Sequence, residues 1–313
     1  MALDYTVLRA VTQEYIEPKL QDNIYNKTLV LKRLRTKVNK SQDGGEYIKV
    51  PIIYAEITSA GHYSGWSTLL TADNDTITAV RYDWGHVYAN MAISQTDELK
   101  NSGKAQIISL LTAKAQQAEM QLSKTLTTDL FSTSSVTNGI QGFPLMVDDS
   151  ASTDYAGINA TDFSNWAASV DTSTNVLSLA ALQNKFGDCS DGNEVPTLII
   201  SNQACFDAYW LLLEVKPEFR VQSENNSLKF QGADWIVDKA CPGSGNGTTD
   251  NHIYFINENF ITFYVHPRNN FRVSEWLKPI NQQGRIARIT FSGQLATNNR
   301  RRHGAFKNID PAL

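Results

Sequence analysis

The chain has 313 residues, 42% hydrophobic and 19% charged, the make-up of a folded globular protein with material for one large core or two modest ones. Its 28 basic and 32 acidic residues leave a formal net charge of -4, so bulk electrostatics give no drive toward nucleic acid or an anionic membrane; such a contact has to be local. No run reaches the roughly eighteen apolar residues of a membrane span, and the start, Met1-Ala2-Leu3-Asp4, lacks the parts of a signal peptide, which points to a chain made and used in a cytosol.

Residues 2–35 carry helical hints at Val11, Tyr15, Leu20 and Ile24 and a basic end, Lys32-Arg33-Leu34-Arg35. They read as an arm that can lie on neighbours. Residues 37–45 read as a turn around Asp43-Gly44. Residues 46–57 are extended, with β-branched and aromatic types on both faces. Pro51 removes a ladder donor and places this strand at an edge or a bend. A second extended stretch, 77–93, alternates in part through Val80, Tyr82 and Trp84, then Val87, Ala89, Met91 and Ile93. Between them, residues 58–76 are polar and glycine-bearing, yet include Tyr63 and Trp66. Two strands joined by such a tip make a long β-arm that is not stable alone. Aromatic residues on a loop of this kind expect a cover supplied by another molecule.

Residues 97–131 read as one helix of about thirty-five residues, roughly 50 Å long, too long for one side of an ordinary core. Leu99, Ile107, Leu111, Ala115, Ala118, Leu122, Leu126 and Leu130 share one side of it. Ser94 or Thr96 can cap its start, Gly103 is an internal weak point, and the turn-rich 132–139 ends it. Residues 140–175 wander through Gly142, Pro144 and Gly157 to a short helix at 163–170. From about 177 the pattern is a conventional α/β layer. It has helices at 177–186 and 202–215, a buried strand at 197–200, and strands at 233–239, 253–256, 261–265, 271–276 and 285–295.

Signals for chemistry are sparse. His62, His86, His252, His266 and His303 are scattered, and there is no HExxH, CxxC, GxSxG or DxDxDG pattern. Cys189, Cys205 and Cys241 therefore read as plain thiols, with Cys205 in a core. The run from Gly243 to Gly247 lacks both the lysine and the following helix that a phosphate loop needs, so it reads as a surface turn. Asp148-Asp149 reads as a solvated pair. Arg300-Arg301-Arg302 with His303 is the one sharp charge cluster, either a contact to packaged nucleic acid or an anionic neighbour, or a solvated edge paired with carboxylates. No catalytic residue, metal or cofactor is expected.

Taken in order, several segments resemble the major capsid proteins of tailed bacteriophages over nearly the whole chain. They are Gly44-Gly45, the arm with Pro51, Tyr63-Ser64-Gly65-Trp66, the long helix, Gly142-Phe143-Pro144, Tyr155-Ala156-Gly157-Ile158-Asn159 followed by Trp166, and Asn298-Asn299-Arg300-Arg301-Arg302-His303-Gly304. The resemblance implies an α+β Hong Kong 97-type capsid fold. Its parts would be an N-terminal arm at 1–45, an extended β-hairpin loop at 46–93, a peripheral domain at 94–175 built round a spine helix at 97–131, an axial domain at 176–280, and a return strand and C-terminus at 281–313.

On that resemblance, Lys49, Pro51, Tyr63, Trp66, Tyr82 and Trp84 are expected at subunit interfaces. Ile107, Leu111, Leu122 and Leu126 form the core face of the spine, and Arg300, Arg301 and Arg302 meet DNA or a neighbour. The implied function is a shell subunit, not an enzyme, that assembles with itself as hexamers and pentamers into an icosahedral head around double-stranded DNA. Implied partners are a separate scaffolding protein, a portal, a decoration protein where the shell carries one, and packaged DNA held without sequence preference; no membrane is involved. The location implied is the virion, after assembly in the host bacterial cytoplasm. Some members cross-link a loop lysine to a neighbour, but nothing places Lys49 near an acceptor, and that activity is not carried over. Two rivals stand beside this reading: an encapsulin-type compartment, with the same fold around enzyme cargo, and a soluble α/β enzyme with a pocket of convergent titratable groups.

Overall fold

Runs of β-branched and aromatic residues in the second half of the chain form two sheets in the computed structural model, which describes residues 28–71, 75–100, 110–148, 154–173, 175–214 and 228–311. The centre of the larger sheet is β7 (Leu198–Ser201), buried at all four positions. A short strand that is apolar on both faces must be covered on both. It lies parallel to β9 (Ala233–Val237) and antiparallel to β10 (Asn251–Ile256). The sheet is completed by β8 (Lys229–Phe230) beyond β9 and by β14 (Gly304–Asp310) beyond β10, with β5 (Ser169–Asp171) and β6 (Asn175–Val176) both parallel to β14.

Two helices cover this sheet. The first, Leu179–Asp188, starts where Ser178 Oγ accepts the Ala181 N–H at 3.2 Å. The second, Gln203–Glu214, starts where Asn202 Oδ1 accepts the Cys205 N–H at 3.1 Å. Leu182, Phe186, Cys205 and Tyr209 from these helices pack with Ile199, Trp235, Ile253, Phe255 and Phe306 from the strands. Tyr209 stacks on Trp235 with ring centroids 4.4 Å apart, and the indole N–H of Trp235 donates to Ser201 Oγ at 2.7 Å. Each such fully buried side chain is worth about 1.5–3 kcal/mol.

The second sheet has the order β1 (Asn39–Ser41), β11 (Ile261–Val265), β13 (Gly284–Thr297), β12 (Arg272–Val273), with β4 (Gly85–Ser94) also paired to β13. A two-stranded hairpin stands apart from both sheets. Its strands β2 (Ile48–Ile53) and β3 (Ile77–Tyr82) run in register from Ile48 opposite Tyr82 to Ile53 opposite Ile77. Pro51 faces Ala79 in a strand whose other edge is free, as its missing donor requires.

The helical segments outside the larger sheet are α1 (Leu29–Lys37), α2 (Gln95–Lys100), α3 (Leu110–Leu130) and α4 (Phe143–Met146). In α2 the Asp97 N–H donates to Ser94 Oγ at 3.1 Å, so Ser94 is the cap. The α3 face carrying Ala118, Leu122, Leu126 and Leu130 is buried. Gly142 lets the chain turn back against the end of α3, because a Cβ there would lie 2.3 Å from the Leu130 carbonyl oxygen.

The chain divides into two compact units. Among the described residues, one holds 88–100, 110–122 and 273–289, and the other holds the rest. Within the smaller, Leu277 and Ile286 exchange backbone hydrogen bonds of 2.9 and 2.8 Å, and Arg285 pairs with Glu98 at 3.3 Å. The larger contains both helices over the seven-stranded sheet, the hairpin and the C-terminal strand.

Several sequence expectations need correction. The hairpin ladder ends at Tyr82, and residues 85–94 are not part of the arm. Val87, Ala89, Met91 and Ile93 bury one whole face of β4, which a free arm could not do. Residues 39–41, read as turn, form β1 through backbone pairing with β11. The expected helix at 163–170 is a single 3-10 turn, Ser164–Trp166, followed by β5. The strand expected at 271–276 shrinks to β12. A boundary at 280 does not follow the sheets, since β11 belongs with β13, and the unanticipated β14 joins β10 by burying Ala305, Phe306 and Ile309. Leu99 is largely exposed rather than on a core face. Residues 1–27, the segment with Gly103 and Ile107, Asp149, and the side chain of Leu111 lie outside the described residues.

Candidate assembly surfaces

The hairpin buries Ile48, Ile52 and Val80 but leaves the apolar side chains of its outer end and loop uncovered. Ile53, Ile57, Tyr63, Leu69, Leu70 and Ile77 are each more than half exposed, and Trp66 is fully exposed. Trp66 is nonetheless held in place. Ser67 Oγ accepts the Ser64 N–H at 3.2 Å and donates to the Ser64 carbonyl at 2.8 Å, while the Ser67 N–H donates to the same carbonyl at 2.9 Å. The turn places Gly65 at a positive φ of 39° and sets the indole at its crest. Lys49 stands directly opposite Arg81 in the ladder, a like-charge pair that an isolated hairpin has no reason to keep.

Of the six loop positions expected at an interface, Lys49, Pro51, Tyr63 and Trp66 are exposed. Tyr82 is not. It is 1% exposed and its hydroxyl donates to the Thr297 carbonyl at 2.7 Å, which anchors the base of the hairpin to β13. Trp84 is half-buried, with its indole N–H on the Gly45 carbonyl at 2.9 Å and its ring edge against His266. Both residues hold the arm's root within the chain.

The arginine run also sorts differently from expectation. Arg300 is 1% exposed, the largest fully buried side chain among the described residues. Its Nε donates to the Met146 carbonyl at 2.9 Å and Nη1 to the Trp166 carbonyl at 2.9 Å, while Nη2 reaches those of Asp148 at 2.7 Å and Leu145 at 3.3 Å. The guanidinium lies 4.7 Å from the centroid of the Tyr155 ring. Arg300 thus gathers the unpaired carbonyls at the end of α4 and is no DNA contact. Arg302 pairs with Asp191, and Arg301 alone of the three is exposed. His303 is fully buried, its Nδ1 accepting the Asn257 N–H at 3.3 Å and its Nε2 lying 3.1 Å from Thr297 Oγ1. Burial, reinforced by the Arg300 charge, pushes its pKa down to about 3.

A second arginine fixes α1. Arg33 grips both carboxylate oxygens of Glu258, at 2.6 and 2.9 Å, and Asp234 Oδ2 at 2.7 Å. Burial pushes the Glu258 carboxyl up, but the hydrogen bond and charge of Arg33 outweigh it and hold the group below the ordinary range. Sequence reading missed this network, because its members are more than two hundred residues apart.

Among the described residues no group of three or more His, Cys, Asp or Glu side chains could hold a metal ion. All three cysteines are buried free thiols, and burial pushes Cys189 and Cys205 up to about 12, which keeps them protonated. Asp148, read as solvated, pairs with Lys307 at 2.8 Å.

No protein-family model matches the chain, and no curated protein matches it. Solved structures do. The cyanophage A-1(L) capsid subunit superimposes with a TM-score of 0.72 at 14% identity, covering 98% of this chain and 99% of that one. A structure from Mycobacterium phage Adephagia gives 0.62 at 12% identity and 99% coverage of both chains. This chain has the Hong Kong 97-type capsid fold. The capsid fold is present end to end. An encapsulin from Synechococcus elongatus also shares it, with a TM-score of 0.59 at 7% identity and 99% coverage of this chain.

Proposed function

We propose that the chain is the major capsid protein of a tailed phage, a structural subunit that self-assembles as hexamers and pentamers into an icosahedral head around double-stranded DNA. The observation that carries this reading is the uncovered apolar hairpin tip within a complete capsid fold. A projecting ladder with a fully exposed indole at its crest is costly on a monomer and useful only where another surface covers it. On this reading residues 1–45 are the arm, the hairpin through Tyr82 is the extended loop, α3 is the spine, and the seven-stranded sheet is the body of the axial part. Its work is association rather than turnover. A separate scaffolding protein, a portal and a decoration protein are further expected partners, with assembly in the host cytoplasm and residence in the virion.

The encapsulin match favours one alternative, the same shell around a protein cargo. Particles purified from the native host decide between the two. Nuclease-resistant double-stranded DNA inside them is the expected result. Particles that hold a stoichiometric folded protein and no DNA overturn the phage reading in favour of a cargo compartment.

A further inference from the structure

With Arg300 buried and Arg302 paired, the arginine run keeps one exposed cation, Arg301, rather than a cluster. The chain concentrates positive charge elsewhere. From Thr28 to Gln42 it carries Lys32, Arg33, Arg35, Lys37 and Lys40 and no acidic residue. The fold sorts these five by partner. Arg33 turns inward to Glu258 and Asp234, and Lys37 lies 3.6 Å from Glu258. Lys32, Arg35 and Lys40 are exposed. Arg35 is positioned over the Phe271 ring at 4.4 Å and Lys40 over the Tyr264 ring at 5.5 Å, contacts that fix a cation without neutralising it.

Lys32 and Arg35 line one open depression of about 350 Å3 together with Thr28, Thr36, Asn39, Ser123 and Asn270. Its floor contains Leu31 and Val265, and no carboxylate is among the lining residues. The helical spacing is what makes it: Thr28, Lys32, Arg35 and Thr36 lie three or four residues apart and share a face of α1, while Val30 and Leu34 bury the opposite side. Two cations and a ring of hydroxyl and amide groups give charge and hydrogen-bond donors without a base-reading surface. That is the chemistry of phosphate contact.

The geometry points to the Lys32–Arg35 depression as a binding site for the phosphodiester backbone of nucleic acid, occupied without sequence preference by DNA enclosed in the shell. This rests on the capsid reading for its occupant, and it places a DNA-facing surface at α1.

The test compares the full chain with two double variants of equal charge change: Lys32→Gln, Arg35→Gln at the site, and Lys239→Gln, Lys278→Gln at exposed positions elsewhere. Binding of a fluorescent DNA duplex is followed by anisotropy across a salt titration, and shells are scored by electron microscopy. Each phosphate contact contributes a slope of about -0.9 to the dependence of log affinity on log salt, so the site variant is expected to lose about 1.5–2 from the slope's magnitude and the control variant less than about 0.5. Both variants are expected to form shells, and duplexes of unrelated sequence are expected to bind the wild type equally. An unchanged slope in the site variant, or a loss no larger than the control's, overturns the inference while leaving the capsid reading intact. Absence of shells from the wild type sinks the capsid reading itself, whatever the binding data show.

Discussion

Truncating Trp66 separates association from folding. The indole is fully exposed, and the local constraint on it among the described residues is the Ser64–Ser67 turn, which is made by backbone and serine groups. Trp66→Ala therefore removes no buried contact from the chain, and the stability of the isolated subunit is expected to change by less than about 0.5 kcal/mol. Within a shell the same side chain offers about 200 Å2 of apolar surface to a neighbour, a ceiling on the order of 4–5 kcal/mol at about 25 cal/mol per Å2. Ordering costs at the interface reduce this, and truncation of a buried anchor of this kind typically costs about 2–4 kcal/mol. That corresponds to a critical concentration for assembly raised roughly thirty-fold to several hundred-fold. Urea unfolding of the dissociated subunit gives the first number, and light scattering against subunit concentration gives the second. Equal losses in both assays, or an unchanged critical concentration, would refute the assignment of the hairpin tip as an association surface.

Other perturbations probe the interior. Arg300→Ala strands four carbonyls in a buried site, each costing about 1–3 kcal/mol when unpaired, so a loss of more than about 4 kcal/mol in urea unfolding is expected; a change below 1 kcal/mol would contradict the buried-hub role. His303 must stay neutral in the folded chain. With its folded pKa near 3 and an unfolded value near 6.5, stability is present above pH 6.5 and declines as pH falls, by about 2 kcal/mol at pH 5 and about 4 kcal/mol at pH 3. The wild type minus His303→Gln difference in urea stability, measured from pH 8 to 4, should carry that slope, and a flat difference would exclude the buried neutral imidazole. Ala115→Pro removes a hydrogen bond inside α3 and should cost about 3 kcal/mol or more, lowering subunit stability and assembly together; loss of assembly with an unchanged unfolding midpoint would contradict it.

The parts legible in the sequence are those whose side chains announce their burial. Leu122 and Leu126 recur at a helical interval, and Leu198 to Ile200 are apolar on both faces, so the helix and the central strand could be read directly. β1 could not be read, because Asn39, Lys40 and Ser41 are exposed and the strand exists only through backbone pairing with Phe263, Tyr264 and Val265. β14 was hidden by Lys307 and Asn308 among its buried residues. The hairpin tip was legible as apolar residues without a core, but its length was overstated. The alternation resumes in β4 after a shift of phase at Gly85, and only the partner strand distinguishes a free arm from a sheet. Arg300 and Tyr82 show the same limit at single residues. A guanidinium's burial depends on carbonyls that arrive from more than 130 residues away, and Tyr82 points inward because Thr297 accepts its hydroxyl.

Electron microscopy of the purified full-length chain, over a range of concentration, salt and pH, tests most directly whether this fold completes itself only against its own copies. Closed shells of uniform diameter, with the share of tryptophan emission that a Trp66→Phe variant lacks shielded from an aqueous quencher on assembly, are the expected result. A chain that remains monomeric at every condition, with Trp66 open to the quencher throughout, would contradict it.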